Sequence, residues 1–324
     1  MKANLIAACA LALALPAMAK TYTVTSPDKR LSVAVDAGPG LTWSISRDGT
    51  EAMAPSAINL MLADGRTAAG SARVTRTHRK STDTEFATPL YRKTSVADRY
   101  NELSLDLRGG YTLQVRAYDD AAAYRFVLHQ KDSVDIAAEH AEFRFGGKHK
   151  AWLPLINDLR DQAYPFAFSF ESYYDEMPLA DMPADTLSCT PLLVELDGGR
   201  KALVMEGALS SYPGMFLRRS DGGDALQSVH APLPVADKVG GFNRLNLIPT
   251  ADAGIIARVA GDAALPWRAV AITDSDTQLP DIDLAMRLAE PSRLTDTSWI
   301  RPGKVAWDWW NDWNLIGVPF KTGV

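Results

Sequence analysis

Apolar and polar side chains alternate one by one along most of the chain. Leu31-Ser32-Val33-Ala34-Val35 does so, and Leu41-Thr42-Trp43-Ser44-Ile45-Ser46-Arg47 does so before a tight turn at Asp48-Gly49. Tyr111 to Tyr118 repeats the pattern, turns at Asp119-Asp120, and is answered by Ala123-Tyr124-Arg125-Phe126-Val127-Leu128. A period of two is what a strand with one buried face requires, and a short polar turn between two such runs predicts a hairpin. Further strands are predicted at Leu192 to Leu196, Lys201 to Glu206 and Arg268 to Thr273, with Asp197-Gly198-Gly199 joining the first two. The helical period is nearly absent. It predicts one short helix over Pro280 to Ala289, with Ile282, Leu284, Ala285 and Leu288 on its apolar face. Many short strands with frequent turns predict an all-β fold, a large sandwich of antiparallel strands.

The first residues break this pattern. Lys2 precedes an apolar run of 11 residues from Leu5 to Leu15, and Pro16 ends it before Ala17-Met18-Ala19. A short apolar run followed by a small-x-small site is the layout of a secretory signal peptide. A membrane-spanning helix needs about 20 apolar residues, so this run is too short to cross. Residues 1–19 are therefore expected to be removed, with cleavage after Ala19, and the mature protein to be periplasmic or secreted. No later stretch is long and apolar enough to predict a membrane span.

Composition narrows the partners. Lys and Arg total 34 against 39 Asp and Glu, a net charge of −5. Nucleic acids and anionic membranes attract basic surfaces, so neither is expected as a partner; a neutral sugar is compatible. Of two cysteines, Cys9 lies in the leader, which leaves Cys189 without an intramolecular disulfide partner. Thr186 to Pro191 reads as a strand, with Cys189 as a small apolar residue within it. His78, His129, His140, His149 and His230 show no ligand-like spacing and read as surface or packing residues. There is no Gly-rich phosphate loop and no His-Glu-x-x-His motif.

Three segments carry candidate chemistry. Trp299 to Trp313 holds five of the eight tryptophans, and Trp307-Asp308-Trp309-Trp310-Asn311-Asp312-Trp313-Asn314 interleaves rings with carboxylates and amides. Rings cover the apolar faces of sugars while polar groups bond their hydroxyls; composition alone favours plain hydrophobic packing of a strand, helped by Val305 and Ala306. Phe168-Ser169-Phe170-Glu171-Ser172-Tyr173-Tyr174-Asp175-Glu176-Met177-Pro178 sets acids among aromatics, and alternation would put Phe168, Phe170, Ser172 and Tyr174 on one face. Its acids read as sugar contacts, metal ligands or solvated side chains. Glu206 sits in the otherwise apolar Val204-Met205-Glu206-Gly207-Ala208-Leu209, and a buried acid needs a partner.

These segments resemble glycoside hydrolase family 97. Trp299-Ile300-Arg301-Pro302-Gly303-Lys304-Val305-Ala306-Trp307-Asp308-Trp309-Trp310-Asn311-Asp312-Trp313 is similar to the entry into that family's catalytic barrel. Arg116 to Phe126, Phe170 to Leu179, and Glu206 to Met215 are similar to its N-terminal domain, in the same order, although Ala122 stands where a glycine is expected.

The resemblance implies an exported, exo-acting α-glucosidase or α-galactosidase acting on α-linked oligosaccharides. It implies an N-terminal β-super-sandwich at residues 20–290, then a linker and the first strand of a (β/α)8 barrel at 291–324. Trp307, Asp308, Trp309 and Asn311 are the candidate substrate contacts. The inverting branch of the family binds Ca2+ with one glutamate from the N-terminal domain; Glu171 is the candidate, with Glu176 next, since calcium takes oxygen ligands. No catalytic residue is expected before Val324, because barrel enzymes place their catalytic groups on several later strands. The chain by itself is expected to be inactive and to pack against a missing barrel domain. A reading of another class is a stand-alone carbohydrate-binding or interaction domain using its tryptophans as a lectin-like surface.

Overall fold

The alternating segments pair into two antiparallel sheets whose apolar faces meet. The computed structural model describes residues 19–70, 72–88, 91–156, 164–167, 170, 172–240, 244 and 246–305. The first strands are β1 (Lys20–Thr25), β2 (Leu31–Ala37), β3 (Leu41–Arg47), β4 (Thr50–Leu62), β5 (Val74–Ala87) and β6 (Ser95–Leu107). They are followed by β7 (Tyr111–Tyr118), β8 (Ala121–Leu128), β9 (Val134–Arg144), β10 (Lys150–Leu153), β11 (Asp175–Pro178) and β12 (Leu192–Glu195). The rest are β13 (Lys201–Gly207), β14 (Met215–Arg219), β15 (Ala225–His230), β16 (Pro234–Gly240), β17 (Asn246–Asp252), β18 (Ala257–Val259) and β19 (Trp267–Thr273).

One sheet of eight strands runs β1-β2-β3-β4-β9-β15-β14, with β18 pairing β9 as well. The other, of nine, runs β11-β10-β12-β13-β19-β8-β7-β6-β5. Strands β16 and β17 pair only with each other. All pairings between strands are antiparallel among the described residues. The predicted strands at Leu41 to Arg47 and Tyr111 to Tyr118 match β3 and β7 end to end.

The period of two explains the core. In β2 and β3 every second residue is buried: Leu31, Val33, Val35 and Leu41, Trp43, Ile45. Trp43 reaches across the gap to Tyr124 of β8, ring centroids 4.9 Å apart and edge to face, and packs on Phe143 of β9 at 6.0 Å. Its indole N–H donates to the carbonyl of Glu142 at 3.3 Å, so the ring is buried without an orphaned donor.

The nine-stranded sheet is covered on its outer side too. Tyr100, Tyr118 and Trp267 form a second apolar cluster with Leu284 and Leu288 of α1 (Leu284–Leu288). Ala121, Ala123, Ala269 and Ala271 are small enough to let the helix lie close. At Gly207 an added Cβ would meet Leu288 Cβ at 2.8 Å, so only glycine admits the helix there. Leu294, Trp299 and Val305 beyond α1 are exposed.

Two expectations are corrected. The predicted helix from Pro280 to Ala289 is shorter, because a tight turn over Asp276–Asp281 contains Pro280 and Ile282 is extended. Asp283 then starts α1, its carboxylate held by Tyr91, Arg92 and Lys93. The stretch from Thr186 to Pro191 is not a strand. Only Ser188 pairs, bonding Leu217 through both its N–H and its carbonyl, while Leu187 and Cys189 bond Ile156 and Pro154. The segment is thus shared between two neighbours instead of lying in one ladder. Cys189 is half-buried there, and burial raises its thiol pKa, which keeps it protonated and unreactive.

Candidate functional site

Of the acidic and aromatic segment predicted around Glu171 and the residues just before it, the described ones, 164–167, 170 and 172–178, contact edge strands of both sheets. Phe166 packs edge-on against Phe216 of β14 in the eight-stranded sheet, centroids 5.2 Å apart, and Tyr164 packs on Phe166 at 5.5 Å. Nine residues further on, Asp175 opens β11, which pairs with β10 at the edge of the nine-stranded sheet. Between them Phe170 meets Tyr174 at 5.8 Å, and the Tyr174 hydroxyl donates to the Pro191 carbonyl at 3.1 Å. Tyr173 is 96% exposed. Ser172 to Tyr174 are not strand, so the alternating face read from the sequence does not form there; pairing begins only at Asp175.

Glu171, Trp307, Asp308, Trp309 and Asn311 lie outside the described residues, as does the expected first barrel strand. Glu176 lies on β11, half-exposed, with Lys150 Nζ at 2.7 Å from its carboxylate. The hydrogen bond and charge of Lys150 hold the Glu176 carboxyl below its usual pKa. Calcium takes six to eight oxygen ligands. Among the described residues no group of three or more His, Cys, Asp or Glu is placed to hold a metal ion. Glu176, occupied by an ammonium, does not by itself fit that role.

Glu206 has its partner. On β13 it faces inward beside Arg268 of β19, with Arg268 Nη1 at 2.6 Å from Glu206 Oε2. Arg268 Nε and Nη2 donate to the two oxygens of Glu139 on β9, at 2.6 and 2.7 Å. Nη2 also lies 3.2 Å from His230 Nε2 of β15. A guanidinium only donates, so Nε2 must accept, which makes His230 a neutral imidazole with its proton on Nδ1. Glu206 in turn accepts from the backbone N–H of Met215 at 3.1 Å through each of its oxygens, closing the loop 208–214. That loop carries Ala208 and Ser211 at φ of 55° and 54°, a left-handed conformation that needs support.

Burial sets the electrostatics of this cluster. Arg268 is fully buried and Glu139 nearly so. Burial raises the Glu206 pKa despite Arg268 and the Met215 N–H. For Glu139 burial pushes the same way, but the charge and hydrogen bonds of Arg268 outweigh it and lower the pKa. Burial pushes His230 down to about 4, with Glu139 opposing and Arg268 assisting. A glycosidase needs two carboxyls facing an open substrate site. Glu139 and Glu206 instead grip one guanidinium inside the sandwich. They hold structure, not a sugar.

Sequence reasoning flagged Glu206 and read His230 as a surface or packing residue, of which packing is what forms, but it missed Arg268 and Glu139. A signal for Arg268 was present: it is the one charged residue in Trp267-Arg268-Ala269-Val270-Ala271-Ile272-Thr273.

Comparison with known proteins places this architecture. The family described as Glycosyl-hydrolase 97 N-terminal matches residues 24–291. This chain belongs to glycosyl-hydrolase family 97. A retaining alpha-galactosidase of Bacteroides thetaiotaomicron is 37% identical over 307 residues, covering 94% of this chain and 46% of that enzyme. A probable retaining alpha-galactosidase of Streptomyces bingchenggensis is 29% identical over 301 residues, covering 89% and 41%. The solved structure of a family 97 enzyme from Pseudoalteromonas sp. strain K8, in complex with acarbose, superposes with a TM-score of 0.72. It is 23% identical, over 87% of this chain and 40% of that one, and shows the same fold. The family 97 chain described here thus spans about half the length of the curated relatives it matches. Its described residues include no helix long and apolar enough to cross a membrane.

Proposed function

We propose that this chain is the N-terminal part of an exo-acting α-glycosidase and forms one wall of its active site. The observation that carries the reading is the 37% identity, along 94% of the chain, to a retaining alpha-galactosidase. It favours an α-linked galactoside over a glucoside as the substrate. The strap from Tyr164 to Pro178, with its described aromatic and acidic side chains against edge strands of both sheets, supplies a surface of the right chemistry for a sugar. Hydrolysis itself requires two positioned carboxyls, and in this reading they belong to a barrel beyond Val324. The isolated chain is therefore inactive.

Within the complete enzyme, Trp307, Asp308, Trp309 and Asn311 line the sugar site; Glu171 is the calcium ligand from this side only if the enzyme holds the ion as the inverting branch of the family does. Export by the leader, with cleavage after Ala19, puts the protein in the periplasm or outside the cell.

The test is hydrolysis of nitrophenyl α-galactoside and α-glucoside. It compares this chain alone with the chain extended by the portion of the Bacteroides enzyme that follows its matched segment. Activity on the galactoside in the extended protein only is the expected result. Turnover by the chain alone, or its saturable binding of α-linked oligosaccharides without turnover, would replace the reading with an enzyme or a binding module complete in itself.

A further inference from the structure

Exposed apolar side chains gather around one feature of the fold. Strands β16 and β17 form a two-stranded arm that pairs with neither sheet. Its base is held by backbone hydrogen bonds of Leu233 with Ile255 and Ala253, at 2.7 and 2.9 Å. Along the arm, Pro234 to Val239 are all exposed. Val239 and Leu247 stand opposite each other in the ladder and are 53% and 62% exposed; Val235 is 63% exposed. An isolated two-stranded hairpin is marginal in water, and a well-made one with opposed aliphatic side chains turned to solvent lacks the surface it needs.

The surroundings continue the patch. A shallow cleft of about 230 Å³ at the base of the arm is lined by Tyr212, Pro213, Leu233 and Pro234. Leu209 of the neighbouring loop is 48% exposed, and β17 touches the turn over Pro165–Ala167 that begins the aromatic strap. Four of the ten exposed large apolar residues among the described ones, Leu209, Val235, Val239 and Leu247, belong to the arm and the loop beside its base. Such clustering marks an interaction surface, whereas apolar residues scattered singly need no explanation.

We infer that the β16–β17 arm is a docking strap for the second half of the polypeptide, the portion that makes the matched relatives more than twice as long. The inference rests on the reading of the chain as the N-terminal part of such an enzyme. The cross-strand pair Val239 and Leu247 is the anchor, and the base cleft with Leu209 extends the contact toward the strap at Tyr164 to Pro178. The arm thereby fixes the distance between the second half and the aromatic, acidic wall.

Hydrogen exchange on this chain, alone and extended by the remainder of the Bacteroides enzyme, tests the assignment. Amides of β16 and β17 are expected to exchange about 100-fold more slowly in the extended protein, with those of the exposed edge strand β5 unchanged. An extended protein that hydrolyses α-galactosides while the arm exchanges freely overturns the docking and leaves the reading of function standing. An inactive one with a protected arm does the reverse. Protection in the unextended chain that grows with concentration identifies a second copy as the occupant and overturns the proposal. If the extended protein is insoluble, the double variant Val239→Lys, Leu247→Lys decides in the unextended chain. It is expected to keep the parent melting temperature and to bind several-fold less of an apolar dye; undiminished dye binding overturns the proposal.

Discussion

Arg268 of β19 and Glu139 of β9 face each other across the space between the sheets, joined by two hydrogen bonds of 2.6 and 2.7 Å. The pair fastens the nine-stranded sheet to the eight-stranded one with charges inside a mainly apolar core. Removing one partner of a buried ion pair strands the other without water. Arg268→Met leaves both Glu139 and Glu206 unpaired and is expected to cost about 3–5 kcal/mol in urea unfolding. Replacing Arg268, Glu139 and Glu206 together by apolar residues of similar size should cost much less; an equal loss would show that the charges contribute net stability.

His230 sets an acid limit. Its pKa is near 4 in the folded chain against an ordinary 6.5, so between these values the unfolded chain binds a proton that the folded chain does not. Stability from this residue is fully present above pH 6.5 and is lost as the pH falls toward 4, by roughly 2–3 kcal/mol. His230→Gln is expected to flatten the melting temperature over that window. An unchanged slope would mean that the imidazole is accessible to protons.

Gly207 and Leu288 are locked by contact. Gly207→Ala sets a Cβ at 2.8 Å from Leu288 Cβ, and the helix must move. A loss of about 1–3 kcal/mol is expected. Arg287, stacked 4.7 Å over the Tyr118 ring, should then become open to trypsin. Resistance at Arg287 in the variant would show that the sheet, not the helix, absorbs the strain.

Glu176 should behave as an ordinary surface residue. Glu176→Gln breaks an exposed pair with Lys150 and is expected to leave the melting temperature unchanged. Calcium titrated into the chain alone should give no saturable heat. Tight stoichiometric binding lost in Glu176→Gln would make Glu176 the ligand despite its lysine.

What the sequence reveals and what it hides follow from the range of the interactions. Period-two runs announce their strands because each strand's own pattern decides which face is buried, as β2 and β3 show. The helix fails at Pro280 and Asp283 because hydrogen bonds from Tyr91, Arg92 and Lys93, about 190 residues earlier, select where it starts. The Arg268 cluster joins four strands from positions 139 to 268, and no local pattern records which acid an arginine will meet. The strap at Tyr164 to Pro178 is legible as chemistry, yet its anchoring on Phe216 is a tertiary fact.

The placement of β19 has a consequence for how the protein is made. This strand sits in the middle of its sheet, between β13 and β8, although it is the last of the described strands along the chain. Strand β8 ends at Leu128 and waits for a neighbour that begins at Trp267. At about 5–20 residues per second of synthesis, the edge of β8, with Tyr124, Phe126 and Leu128, stays unpaired for roughly 7–28 seconds. Such a nascent chain offers a sticky half-sheet to its neighbours throughout that interval, and its yield in the cell should depend on chaperones that shield it.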